Sequence, residues 1–171
     1  MRLRAPKLAI PLHVVLVEPE IPPNTGSIAR LCAATGAPLH LVGRLGFRID
    51  EQSVRRAGVD YWHLVDVRQH VDFAHFEHAF RAQAPANASI WVLTAHASKS
   101  VYGASISPGD AIVFGKESVG LDPALVARFE QTALGIPTLG AVRSLNLANA
   151  ASIVLYEALR QSGTLAQTFM E

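Results

Sequence analysis

Four short runs of apolar residues rich in Val, Ile and Leu, Leu12 to Val17, Leu39 to Val42, Ile90 to Thr94 and Ala111 to Phe114, recur along the chain with helix-like segments between them. Such runs need cover on both faces, and their alternation with helices predicts an α/β fold, a buried parallel sheet flanked by helices. Asn24, followed by Thr25, Gly26 and Ser27, is placed to cap a helix running to about Gly36, and Asp50 to open a second through Arg55 and Arg56. Val71 to Gln83 reads as a third helix, Pro123 to Phe129 as a short fourth, and Leu145 to Gln161 as a long last one. Neither a linker nor an internal repeat interrupts the 171 residues, and half of them are apolar, so one domain spanning 1–171 with a single core is expected.

In the last helix Leu147, Ala150, Ala151, Val154, Leu155, Ala158 and Leu159 fall at steps of three and four. This apolar stripe fits core packing, and its small residues equally permit a two-fold contact between identical chains. The formal net charge is only +1, so any nucleic-acid surface must be a local cluster. Candidates are Arg2, Arg4 and Lys7, then Arg44, Arg48, Arg55 and Arg56, and Lys99, each of which also reads as ordinary solvated charge. Cys32 has no second cysteine to pair with, and the first dozen residues lack a signal-like or membrane-spanning apolar stretch, which points to the cytoplasm.

Three segments hold polar and glycine residues that packing does not need. In Glu18 to Arg30 a loop stiffened by Pro19, Pro22 and Pro23 delivers Asn24 to a helix start, with Arg30 nearly two turns further on. In Phe114 to Asp122, Gly115 and Gly120 leave room for a flat adenosine, and Glu117 offers an acceptor in an otherwise apolar setting, although a tight turn would explain the glycines too. In Ile136 to Asn149 both Ser144 and Asn146 are good caps, whereas one helix start needs one. Neither a phosphate-binding GxxxxGK[ST] loop nor a GxGxxG turn occurs. His70, His75 and His78 lack an acidic or cysteine partner at ligand spacing, His13, His40, His63 and His96 are scattered, and metal catalysis is not expected.

In this order the three segments resemble the motifs of the SPOUT methyltransferases, specifically the SpoU-type branch that methylates ribose 2'-hydroxyls. Asn24 with Arg30 resembles the first motif, Gly115 to Gly120 the second, and Ser144-Leu-Asn-Leu-Ala-Asn149 the third. Glu18-Pro-Glu-Ile-Pro-Pro-Asn-Thr-Gly26 and Arg55-Arg-Ala-Gly-Val-Asp-Tyr61 are similar to the small enzymes acting on the tRNA wobble nucleotide. The resemblance implies a SPOUT fold with a C-terminal trefoil knot, a homodimer, S-adenosylmethionine as cofactor, tRNA as partner, and neither membrane nor metal. It places the cofactor against Leu93, Gly115, Glu117, Gly120, Ile136, Ser144 and Leu145. It gives Asn24 the ribose, Ser144 the orientation of the attacking group, and Glu117 and Asn146 the organisation of the site. Arg30 is implied to activate the hydroxyl; a guanidinium is an obligate cation, so we read it as holding phosphate and stabilising the emerging alkoxide. Two departures from the family bear on RNA contacts: Val119 stands where a basic residue is common, and His96-Ala97 replaces Lys-Gly. Other 2'-O targets and a non-catalytic RNA-binding role are the rival readings.

Overall fold

A computed structural model of the chain describes residues 1–49 and 61–171. The expected helix from Asp50 through Arg55 and Arg56 therefore lies outside the described residues, as does most of the Arg55 to Tyr61 segment. Each of the four apolar runs forms a strand: β2 (His13–Val17), β3 (Leu39–Val42), β5 (Ile90–Leu93) and β6 (Ala111–Phe114). Joined by β4 (Val67–His70) and β7 (Ala133–Leu134), they make a six-stranded sheet of order β4-β3-β2-β6-β5-β7, parallel throughout. A further pair, β1 (Leu3–Arg4) and β8 (Phe169–Met170), joins the ends of the chain as an antiparallel ribbon. Sequence patterning misses β4, β7 and this ribbon. The peripheral strands β4 (VRQH) and β7 are too polar or too short to stand out, and become strands only because a neighbour offers its hydrogen-bonding edge.

Helices cover both faces of the sheet, as its two-sided apolar strands require. On one face Val14, Leu16, Leu39, Leu41, Ile112 and Phe114 pack with α1 (Pro22–Thr35) and α4 (Leu147–Gln161). On the other, Val15, Val42, Val92 and Val113 meet Phe76 and Phe80 of α2 (Phe73–Gln83), with the short α3 (Pro123–Arg128) at the margin. Cys32 lies inside the first of these cores, and burial pushes its thiol up to about 12, which keeps it inert. The stripe on α4 is largely consumed within the chain: Ala151, Val154, Leu155, Ala158 and Leu159 are all buried, and α4 packs on α1. These residues serve the core rather than a two-fold contact.

Three expected helix starts are corrected. Asn24 does not cap α1, whose N-cap is Ile21; Pro22 and Pro23 open the helix, where a missing N–H costs nothing, and Asn24 is freed for other bonds. At α4 the cap is Asn146, whose Oδ1 accepts from the Ala148 and Asn149 amides, so the helix starts at Leu147 instead of Leu145 and Ser144 lies outside it. The third helix starts at Phe73 rather than Val71, because the Asp72 side chain accepts from the His75 amide.

Two of the scattered histidines, His13 and His40, are brought together with His70 and His75. On the α2 face, His13 Nδ1 lies 2.9 Å from His40 Nε2, His40 Nδ1 2.9 Å from His70 Nε2, and His70 Nδ1 3.0 Å from His75 Nδ1. Three adjacent parallel strands and one helix thus contribute a row of four imidazoles, edged by Phe76 and Phe80, running from the sheet interior to exposed His75. Desolvation, reinforced by Arg68, holds His13 down to about 4; desolvation and the neighbouring imidazoles hold His40 to about 3; and desolvation with His75 lowers His70.

Candidate active site

Strand order runs outward from β2 in both directions, to β3 on one side and β6 on the other, and such a reversal opens a crevice at the carboxyl ends of the strands. The loops that meet there are the three singled out by sequence. Glu117, in the loop after β6, accepts from the Glu20 amide at 2.8 Å, the Ile21 amide at 3.1 Å and Asn24 Nδ2 at 3.2 Å. Asn24 Oδ1 in turn accepts from Asn146 Nδ2 at 3.1 Å, and Asn146 caps α4. One chain of hydrogen bonds, Glu117 to Asn24 to Asn146, therefore ties residues about a hundred positions apart, and buried Asn24 uses both ends of its amide in the link. Around it, Glu20 accepts from the Ser118 amide and hydroxyl, and Lys116 Nζ pairs with Glu18 Oε2 at 2.8 Å. Hydrogen bonds from Ser118 lower the Glu20 pKa, and the Glu18 partner raises that of Lys116, so Glu20 and Lys116 stay charged at neutral pH.

The two glycines of the second segment act differently from each other. A Cβ at Gly115 would lie 2.2 Å from the Gly120 carbonyl carbon and from the Leu121 amide nitrogen, so its missing side chain lets the loop close on itself. Gly120 takes a positive φ of 75° and faces open space, as a ligand-facing position would. Leu93, Gly115 and Ile136 stand at or just past the ends of β5, β6 and β7, three neighbouring strands, and all are half-buried. Leu145 is half-buried two residues before α4, whereas Ser144 is exposed and makes no described contact.

Arg30 is not drawn into the hydrogen-bonded chain. It is exposed on α1, with its guanidinium 4.8 Å from the ring centroid of Tyr61. Sequence reasoning assigned no role to Tyr61, to Glu20 or to the Glu18–Lys116 pair, although all four lie within segments it quoted; pairing across such distances leaves no trace in local spacing. Among the described residues no group of three or more His, Cys, Asp or Glu side chains is arranged to hold a metal ion. Nor, among them, is any helix long and apolar enough to cross a membrane.

Residues 11–156 match the SpoU rRNA methylase family. The chain is 47% identical, over 152 residues, to a tRNA (cytidine(34)-2'-O)-methyltransferase of Burkholderia pseudomallei, covering 88% of this chain and 96% of that one. A Yersinia pestis protein of the same name is 43% identical over 154 residues, covering 89% and 94%. A solved structure concerned with 2-OH methylation of C/U34 on tRNA superposes with a TM-score of 0.81 at 46% identity, covering 89% of this chain and 96% of its own. The SpoU methyltransferase AviRb of Streptomyces viridochromogenes, solved with AdoMet, gives 0.76 at 28% identity, covering 92% and 60%.

Proposed function

This chain belongs to the SpoU rRNA methylase family, and from that premise we propose that it transfers a methyl group from S-adenosylmethionine to the ribose 2'-hydroxyl of the wobble nucleotide, cytidine or uridine, in a tRNA anticodon loop. The observation that carries the reading is the Glu117–Asn24–Asn146 chain, which joins the three family motifs at the reversal point of the sheet. Relatives of nearly the same length bear the name of this activity. A single-stranded loop suits a small catalytic domain, because its unstacked nucleotides can be splayed into a crevice.

The residues present fit the cofactor. Leu93 and Ile136 offer half-buried apolar walls at adjacent strand ends, and Gly120 opens on free space. When bound, S-adenosylmethionine supplies an electrophilic methyl on a sulfonium. The chain's own task is positioning and charge stabilisation. Asn24, fixed at both ends of its amide, holds the loop and helix start against which the ribose rests. Glu117 keeps three N–H groups of the first motif in one place. Arg30, exposed and steadied by Tyr61, is free to hold a phosphate and to stabilise negative charge as the hydroxyl proton leaves. Ser144, exposed beside the start of α4, orients the attacking group.

Three structural features complete the reading: one domain over residues 1–171, a C-terminal trefoil knot, and a cytoplasmic homodimer. The knot is supported by the chain path, since β7 lies at the sheet edge yet α4, the next helix, begins beside α1, so residues 135–146 must return across the strand ends. The dimer is supported by large apolar side chains left exposed, Leu139 and Val142 on that return and Tyr156 on α4. The deciding experiment is transfer of labelled methyl from S-adenosylmethionine to tRNA from a strain lacking this protein, with nucleoside mapping. Label on the wobble ribose is expected. Label elsewhere would move the target, and no label on tRNA or ribosomal RNA would favour a binding protein.

A further inference from the structure

Beside the hydrogen-bonded chain lies an open cleft of about 160 Å³, lined by Glu18, Glu20, Arg44, Leu45, Gly46 and Lys116. It sits at the carboxyl ends of β2, β3 and β6, and Glu20 belongs to both features: its side chain lines the cleft while its amide donates to Glu117. A group seated here is therefore one residue removed from Asn24's network. The volume has room for about five waters or one flat ring.

The cleft is shaped before anything binds. A Cβ at Gly46 would lie 2.9 Å from Glu20 Cα, so the loop after β3 presses directly on the loop after β2. Glu18, at φ 49°, is the one non-glycine among the described residues in the left-handed region. A carboxylate-bearing residue held in so sparsely populated a conformation, at the mouth of a cleft and paired with Lys116, is the kind of outlier that marks a working position. The chemistry of the lining is mixed. Two carboxylates and two cations balance, Glu20 is committed to Ser118, and Arg44 is exposed with no described partner. A balanced lining disfavours a phosphate, which three nearby carboxylates would repel once Glu117 is counted. It favours a neutral group that offers a donor and an acceptor side by side.

We propose that this cleft reads the base of the nucleotide whose ribose is methylated, with Glu18 accepting from and Lys116 donating to the pairing edge of a pyrimidine. The proposal rests on the methyltransferase reading above. Cytidine presents an amine beside a ring acceptor, and uridine a carbonyl beside a ring N–H. A carboxylate adjacent to an ammonium can satisfy either order by exchanging which group faces which atom, so one ion pair serves both bases.

The test is kcat/KM on anticodon stem-loop RNAs carrying cytidine or uridine at the target, with cofactor binding followed separately by calorimetry. Lys116→Met removes the donor to the pairing edge and Glu18→Leu the acceptor, and since each base offers one of each, either variant lowers kcat/KM about tenfold or more on both bases while cofactor affinity stays within a few-fold. An unchanged kcat/KM on both bases in either variant would overturn the proposal. With the unaltered protein, dimethylating the cytidine amine lowers kcat/KM at least about tenfold, which decides the matter even where a variant fails to fold; an unchanged rate would overturn the proposal equally. Absence of wobble-position methylation by the unaltered protein on every stem-loop would count against the proposed function instead, and calorimetry separates that outcome from loss of cofactor binding.

Discussion

Asn24 is the residue on which the three motifs depend, because its amide donates to Glu117 and accepts from Asn146. Changing it to aspartate keeps the size but turns the donor into a second carboxylate facing Glu117. We expect Asn24→Asp to destabilise the fold by about 2 kcal/mol, the cost of a buried bond lost with one partner left unsatisfied, and to lower kcat by roughly a hundredfold through misplacement. Adding Glu117→Gln, which lets the Gln amide donate to the new carboxylate while giving up the acceptor for the Ile21 amide, should recover part of that stability; a double variant no better than the single would show that this bond is not the linkage. Arg30 makes no contact with that network, so Arg30→Ala is expected to leave calorimetric cofactor affinity within a few-fold and to abolish methyl transfer. Unchanged turnover would remove Arg30 from the mechanism. At this scale the sequence singles out Asn24, Glu117 and Asn146 through motif resemblance, and the structure joins them, yet the local reading of Asn24 as a helix cap fails. A cap is a local inference, whereas the partners of Asn24 arrive from distant segments.

Among the elements, α4 shows how one side chain can serve packing and site together. Asn146 caps the helix through Oδ1 and reaches Asn24 through Nδ2. Asn146→Ala should therefore lose about 1 kcal/mol of stability from the cap as well as activity. Asn146→Asp keeps the cap acceptor but sets a carboxylate against Asn24 Oδ1, so both variants should melt lower with kcat reduced, while only Asn146→Ala should fray the first turn of α4 in amide hydrogen exchange. If both variants fray that turn alike, capping is not what Asn146 contributes. The four interior strands and the α4 stripe were legible because apolar run length and a 3.6-residue period are local quantities. The peripheral strands β4 and β7 were not, since their residues carry little β signal of their own and the sheet edge recruits them. Whether the α4 stripe met its own chain or another was equally undecidable from period alone, and α1 turned out to be its partner.

For the whole molecule, the histidine row makes stability depend on pH. His13 and His40 have folded pKa values of about 4 and about 3, below the ordinary value of 6.5, so the unfolded chain binds more protons in the interval between. Their contribution is complete above about pH 6.5 and is lost progressively as pH falls toward 4. For His13 alone a shift of that size corresponds to about 3 kcal/mol, as an order of magnitude. Urea unfolding measured from pH 7 to 4.5 should show a steep decline that His40→Leu makes shallower; an identical slope in the variant would mean the row does not set the acid limit. No spacing rule foretells this cluster, because His13, His40 and His70 meet only through the register of three strands that are far apart in sequence.

The same row has an arithmetic of its own. Four imidazoles joined by three N···N contacts have eight ring nitrogens, and each contact holds one hydrogen between its two nitrogens. Four neutral rings bring four hydrogens: three fill the contacts and the fourth must sit at one outer end, so only two orderings exist. In one, His13, His40 and His70 all carry hydrogen on Nδ1 and His75 on Nε2; in the other, every assignment is reversed. A fifth hydrogen fits at the vacant end, and a sixth has no place unless a contact opens. The line thus behaves as a two-state register with capacity for a single added proton, written at exposed His75 and legible, three rings inward, at His13 in the floor of the sheet. Nitrogen-15 spectra of the imidazoles should find three rings in one tautomer and His75 in the other.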